Sequence, residues 1–164
     1  MSAPVRPRTL ADLRDLTGAP LGPTAWHEVT QEAIDRFAEV TGDSQWIHVD
    51  PVRAASGPFG GTVAHGLYSL SLVPMFSTLL MRFDGFAHSL NYGYDRIRFP
   101  AAVPVGSRLR MHLTVAAAEP VAGGGIQLRT SQTVECDAAD KPVLVAEGLA
   151  RVFEASANAT ARNG

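Results

Sequence analysis

The stretch Val63-Ala64-His65-Gly66-Leu67-Tyr68-Ser69-Leu70-Ser71-Leu72-Val73-Pro74-Met75-Phe76-Ser77-Thr78-Leu79-Leu80-Met81-Arg82-Phe83 decides the fold of this chain. It is apolar over most of its length, and it predicts a long helix beginning near His65-Gly66 and ending around Met81, with Pro74 inside it or at a kink. His65, Gly66, Pro74, Arg82 and three serines keep it short of about 20 predominantly apolar residues. It therefore reads as a buried central helix and not as a membrane span.

Downstream of this helix the character changes. Four runs, Ala87–Phe99, Arg108–Glu119, Gly125–Cys136 and Val143–Phe153, are rich in Val, Ile, Leu, Tyr, Phe and Thr and are separated by turn signals. In the third, Ile126, Leu128, Thr130, Gln132, Val134 and Cys136 alternate with Gln127, Arg129, Ser131, Thr133 and Glu135, the period of a strand with one buried face. The runs predict an antiparallel meander. One apolar helix and one long-stranded sheet bury each other when the sheet curls around the helix, an α+β packing, and pairing in a symmetric dimer covers the exposed edge.

Upstream, Thr9–Leu16 reads as a short helix, Pro20, Gly22 and Pro23 as a break, and Ala25–Val29 as a short strand. Thr30 is placed to cap a helix over residues 31–41, with Ile34, Phe37, Ala38 and Thr41 on one face and Gly42 at its C-terminal cap. Asp50 and Pro51 predict a further helical turn to Ala55, and Ser56–Gly61 is a loop by composition.

The sequence has 164 residues, 46% apolar and 18% charged, with a net charge of −2 and one cysteine, Cys136. Residues 1–154 read as one domain, and 155–164, where Ala, Asn, Ser, Thr and Gly replace apolar periodicity, as a flexible C-terminal tail. The Asn158-Ala159-Thr160 glycosylation pattern falls in that tail and reads as a chance match. The charge lacks the basic face that nucleic acid requires. A single cysteine allows no intrachain disulfide, and residues 1–10 lack the apolar core of a secretory signal, so a cytoplasmic protein is expected, without a nucleic-acid or membrane partner.

Chemistry concentrates just before the central helix. Asp43 and His48 lie five residues apart in Thr41-Gly42-Asp43-Ser44-Gln45-Trp46-Ile47-His48-Val49-Asp50, after a helix-ending glycine. Trp46 and Ile47 between them drive the loop inward, so a carboxylate and an imidazole face one partly buried cleft and can grip one water. The spacing does not assign which of the two is the base. At Ala64-His65-Gly66 the first amides of the helix lack intrahelical partners and can polarise a carbonyl, with no Cβ at Gly66 to obstruct it.

The runs Phe37–Asp50 and Gly57-Pro58-Phe59-Gly60-Gly61-Thr62-Val63-Ala64-His65-Gly66, followed by Arg98-Phe99-Pro100 and Val103-Pro104-Val105-Gly106, together resemble the hydratase 2 signature of the MaoC-like dehydratases, the (R)-specific enoyl-CoA hydratases. Gln45-Trp46-Ile47-His48 is similar to the nodulation protein N-like subgroup. The resemblance spans roughly residues 10–154. It implies a hot-dog fold, a homodimer with the active site near its interface, and a role in fatty acid metabolism. It also implies a hydro-lyase that adds water reversibly and syn to a trans-2-enoyl-CoA, giving an (R)-3-hydroxyacyl-CoA. In that reading Asp43 and His48 are catalytic, the Gly66 amide binds the thioester oxygen, and His65 and Arg98 are possible substrate contacts. Pro74 stands where some members have serine, and Gln45-Trp46 where many have Asn-Pro.

No cofactor is expected beyond the CoA of the acyl-CoA thioester substrate. No metal is expected either, since His27, His88 and His112 lack ligand spacing. Arg96, Arg98 and Arg108 are candidates for CoA phosphates, with solvated strand arginines as the default. Two rival functions share the fold: an acyl-CoA thioesterase and a non-catalytic acyl-thioester-binding subunit of a dehydratase.

Overall fold

The computed structural model describes residues 3–154; the flexible tail expected over 155–164 lies outside them. Thr9 caps α1 (Leu10–Asp15) in a reciprocal box with Asp12. Two-residue strands β1 (Pro20–Leu21) and β2 (His27–Glu28) follow, where the sequence predicted a break and one longer strand. Thr30 accepts from the Ala33 N–H to start α2 (Gln31–Thr41), and Gly42 ends it at φ +75°, a left-handed conformation open to a residue without Cβ. Next come α3 (Trp46–Val49), a single turn the sequence did not announce, and α4 (Pro51–Ala55), capped by Asp50.

Strand β3 (Val63–Ala64) leads into the apolar helix, which is divided into α5 (Gly66–Ser71) and α6 (Val73–Leu80). Pro74 accounts for the division. In the first turn of α6 its missing N–H is tolerated, whereas in one unbroken helix it would remove an interior hydrogen bond and clash with the preceding turn.

The strands that follow are β4 (His88–Arg98), β5 (Val103–Pro104), β6 (Arg108–Val121), β7 (Gly125–Cys136) and β8 (Leu144–Phe153). The main sheet runs β1-β6-β7-β8-β4, with β2 also on β6. Strands β6, β7 and β8 form the expected meander. Strand β4 departs from it: instead of lying beside β6 it takes the far edge against β8, with His88 opposite Phe153 and Arg98 opposite Val145. The chain makes that crossing through β5, which pairs with β3 at the start of the helix, Val63 opposite Pro104.

Alternation decides which face is buried. On β6, Leu109, Met111, Leu113 and Val115 point inward, while Arg110 and His112 face out and meet Glu135 on β7. Interruptions of register in β4 and β6 bend the sheet. It wraps α5, which packs on β8, and α6, which packs on β6, giving the hot-dog arrangement. Phe76 at the centre of α6 is fully buried, and its truncation to alanine costs about 3–5 kcal/mol. No helix among the described residues is long and apolar enough to cross a membrane.

Candidate active site

Three local structures converge in front of α5. The left-handed turn at Gly42 releases Asp43 from the end of α2, its side chain 57% exposed. The short α3 turns His48 inward, to 7% exposure. Strand β3 delivers His65, 3% exposed, to the N-cap of α5. One atom from each of Asp43, His48 and His65 lies within 4.8 Å of the other two. Together with Gly66, Leu67 and Phe37 they line a cavity of about 250 Å³.

Hydrogen bonds fix the two imidazoles. His48 Nδ1 is 2.6 Å from the Val63 carbonyl, and a carbonyl only accepts, so Nδ1 carries the proton and neutral His48 presents a lone pair on Nε2. His65 Nε2 is 2.9 Å from the main-chain carbonyl of Asp43 and by the same logic donates to it. The His65 ring stacks on His48, and Phe37 packs against its other surroundings with centroids 5.0 Å apart. Gln31, at the first turn of α2, ties the assembly together: its Nε2 donates to the His48 carbonyl at 2.7 Å and its Oε1 accepts from the Thr62 hydroxyl.

At Gly66 the chain comes close to the ring of Phe99. A Cβ there would stand 3.0 Å from it, so an alanine would require the Phe99 ring to give by a few tenths of an ångström. The first internal bonds of α5 are made by the Tyr68 and Ser69 N–H groups to the His65 carbonyl, leaving the Gly66 and Leu67 amides ahead of the helix's own ladder. With only six residues in α5, the N–H itself supplies more of the local field than the helix dipole.

The structure thus brings Asp43, His48, His65 and Gly66 to one cavity. His65 is held against Asp43 and His48 rather than standing free at the mouth. Arg98 does not line that cavity; its guanidinium donates to the Ile97 carbonyl at 2.7 Å. Arg108 pairs with Asp137 on the outside of the sheet. Gln31 and the Val63 carbonyl were not singled out from sequence as part of the site, and Phe37 and Phe99, named there only as a helix-face residue and within the Arg98-Phe99-Pro100 run, were not assigned to it. Gln31, directly after a capping threonine, was the one with a local signal; the others depend on tertiary approach.

By distance alone Asp43, His48 and His65 could hold a metal ion. The stacked rings argue against it. With planes 25° apart, their in-plane lone pairs run side by side rather than converging on one point. What the arrangement offers is a proton acceptor, a carboxylate and a backbone donor around a small cavity.

The family described as MaoC like domain matches residues 12–135. The chain is 44% identical to 3-hydroxyacyl-thioester dehydratase Z of Mycobacterium tuberculosis over 143 residues, covering 87% of this chain and 95% of that protein. It is 40% identical to nodulation protein N of Rhizobium leguminosarum bv. viciae, covering 86% and 89%. Among solved structures, R-hydratase PhaJ1 from Pseudomonas aeruginosa superposes with a TM-score of 0.69 at 24% identity, covering 90% of this chain and 87% of that one. The (R)-hydratase from A. caviae gives 0.65 at 19%, covering 82% and 94%. At these identities the structural likeness speaks to fold.

Proposed function

The chain belongs to the MaoC-like domain family, and from that premise we propose that it is an (R)-specific enoyl-CoA hydratase, a hydro-lyase acting reversibly on acyl thioesters. The single observation that carries this reading is the cavity where the Asp43 carboxylate, the His48 imidazole and the Gly66 amide meet. The Mycobacterium relative is named for the same equilibrium written as dehydration.

In the proposed mechanism a water sits between Asp43 and His48. His48 Nε2, left with a lone pair by the Nδ1–H bond to Val63, takes a proton from the water as its oxygen bonds to the β-carbon of the enoyl thioester. Asp43 accepts a hydrogen bond from the water's other O–H, which the product keeps as its hydroxyl, and so aims the attacking lone pair. Electron density moves to the thioester oxygen, where the Gly66 N–H meets it. The enolate then collapses, and the α-carbon takes the proton back from His48. One water is consumed, with H on the α-carbon and OH on the β-carbon. The water attacks and His48 returns the proton from the same side of the double bond, which is syn addition. No cofactor enters beyond the CoA of the substrate.

The exposed edge strand β4, with Leu90 and Tyr92 open on its surface, suits pairing with a second copy, and a homodimer is part of this proposal. The test is hydration of crotonyl-CoA followed by loss of the conjugated thioester absorbance, with chiral analysis of the product. An (R)-3-hydroxy product is expected. Release of free thiol without hydration would instead identify a thioesterase, and inertness on short, medium and long enoyl-CoAs would remove the hydratase reading.

A further inference from the structure

A second cavity, of about 170 Å³, lies between α6 and the β4–β8 side of the sheet. No charged residue lines it. Val73, Pro74 and Leu149 share its wall with Ser77, Tyr94 and Gln132, so it is neither a plain hydrocarbon slot nor an ion site.

One helical run carries both cavities. Gly66 opens α5 at the active-site cavity, while Val73 and Ser77 of α6, at i+7 and i+11 from it, line the second; Leu72 between the two helices keeps right-handed helical angles. At 1.5 Å per residue, Ser77 is about 16 Å along the helical run from the Gly66 amide.

The polar part of the wall is built with a direction. Gln132, 6% exposed, donates from Nε2 to Thr130 Oγ1 at 2.9 Å, and Thr130 Oγ1 donates to the Gly148 carbonyl at 3.3 Å. Because that carbonyl only accepts, the Thr130 proton is committed to it, and the amide of Gln132 must turn its NH2 toward Thr130. Gln132 Oε1 is left at the end of the chain, buried and without a donor among the described residues. Gly148 is part of the construction, since a Cβ there would come within 2.6 Å of Gln132 Nε2. Leaving an amide oxygen unpaired in an interior is destabilising. The terminal torsion of a glutamine is soft, so Oε1 is free to reorient within the wall that Gln132 forms.

We propose that this cavity receives the distal part of the substrate's acyl chain and selects chains that carry a hydroxyl or another neutral hydrogen-bond donor, with Gln132 as the specificity-determining residue. This rests on the hydratase reading and names the substrate class within it. The ligand group must be neutral because the wall holds no charge to pair with an ion, and a donor because the free end of the Gln132–Thr130–Gly148 chain is an acceptor.

The test is calorimetric binding of saturated ω-hydroxyacyl-CoA thioesters of increasing chain length, each against the unsubstituted thioester of equal length. Wild-type protein is expected to bind the hydroxylated member about three- to tenfold more tightly at the matching length, and Gln132→Leu to abolish or invert that preference. Equal affinities at every length in the wild type would overturn the proposal, and so would a preference undiminished in Gln132→Leu. The wild-type comparison decides even if the variant fails to fold. Saturated thioesters cannot be hydrated, so the two readings fail separately. An enzyme inert toward enoyl-CoAs that keeps the binding preference overturns only the hydratase reading, and an active hydratase without it overturns only this one.

Discussion

The imidazole of His65 lies flat on that of His48, with ring centroids 3.7 Å apart and planes 25° apart. His65 spends its Nε2–H on the Asp43 carbonyl. It sets the dyad's spacing by holding the Asp43 main chain and backing the His48 ring. Leucine at 65 keeps bulk but loses the donor, and is expected to lower kcat by about a hundredfold, the cost of displacing a catalytic group by an ångström. Glutamine, with an amide N–H near the Nε2 position, should recover part of that. Nitrogen-15 NMR provides the reading a merely structural role would not move: His65 should show a protonated Nε2 hydrogen-bonded to the Asp43 carbonyl.

Asp43 and His48 differ in burial, and their substitutions should differ accordingly. Asp43 is largely exposed, so Asp43→Asn should leave thermal stability unchanged while lowering kcat by about 10²–10⁴-fold, the usual contribution of a proton-handling or water-orienting group. His48→Gln should lose activity to a similar extent and stability as well, because the buried His48 Nδ1–H supports the Val63 carbonyl. Steady-state hydration kinetics together with thermal melts separate the two effects, and an Asp43→Asn enzyme with wild-type turnover would remove Asp43 from the mechanism.

Gly66 carries two demands that one pair of variants can separate. Alanine at 66 puts a methyl group 3.0 Å from the Phe99 ring, an overpacking expected to cost about 1–3 kcal/mol. Shortening the neighbour, as in the Gly66→Ala, Phe99→Leu double variant, should restore most of the stability in urea denaturation. The N–H of residue 66 survives both changes, so the double variant should also regain turnover if that amide is what meets the thioester oxygen. Continued loss of activity in a stable double variant would place the oxyanion donor elsewhere.

On the outer face of the sheet, Arg110 donates to Glu135 at 2.8 Å, and that hydrogen bond holds the Glu135 carboxyl below its ordinary range, with His112 adding to the effect. A carboxylate whose pKa falls on folding contributes stability that is present above the unfolded-state pKa and is lost as pH drops through the folded one. The melting temperature should therefore decline on acidification below the ordinary glutamate range, and Glu135→Gln should flatten part of that decline. The change is a small one, since Arg110 and Glu135 are each about a third or more exposed and solvent screens their attraction. Melting curves of the two proteins from neutral pH into the acid range give the comparison.

What could be read from the sequence divides along the range of the interactions involved. Helix α2 was legible to the residue at both ends because Thr30 and Gly42 act on backbone groups within one turn of themselves. Strand β7 was legible because every second side chain meets the same interior, and even its polar inward members, Thr130 and Gln132, proved buried. The position of β4 beside β8 was not, because no local pattern records which strand a run will pair with. The same limit applied at the site. Asp43, His48 and Gly66 stood out by residue type and spacing, whereas the His48–His65 stack, the Phe99 ring over Gly66 and the Gln31 clamp join residues brought together only by folding.

Strand β4 ends the sheet, and its outer edge finds no partner strand within the sheet of the described residues. Leu90 is half exposed there, and Tyr92 is open as well, its ring covered in part by the Arg151 guanidinium at 3.4 Å. A long edge with exposed apolar side chains is a liability for a lone chain and is relieved when a two-fold axis brings a second copy of the same edge against it. A charge at position 90 opposes itself across such an axis, so Leu90→Glu should shift the protein from dimer to monomer in sedimentation velocity while leaving its far-ultraviolet circular dichroism intact. If the active site draws on the interface, turnover should fall with the dimer fraction and recover as concentration rises. A wild-type protein that sediments as a monomer at all concentrations would remove the homodimer from the proposal.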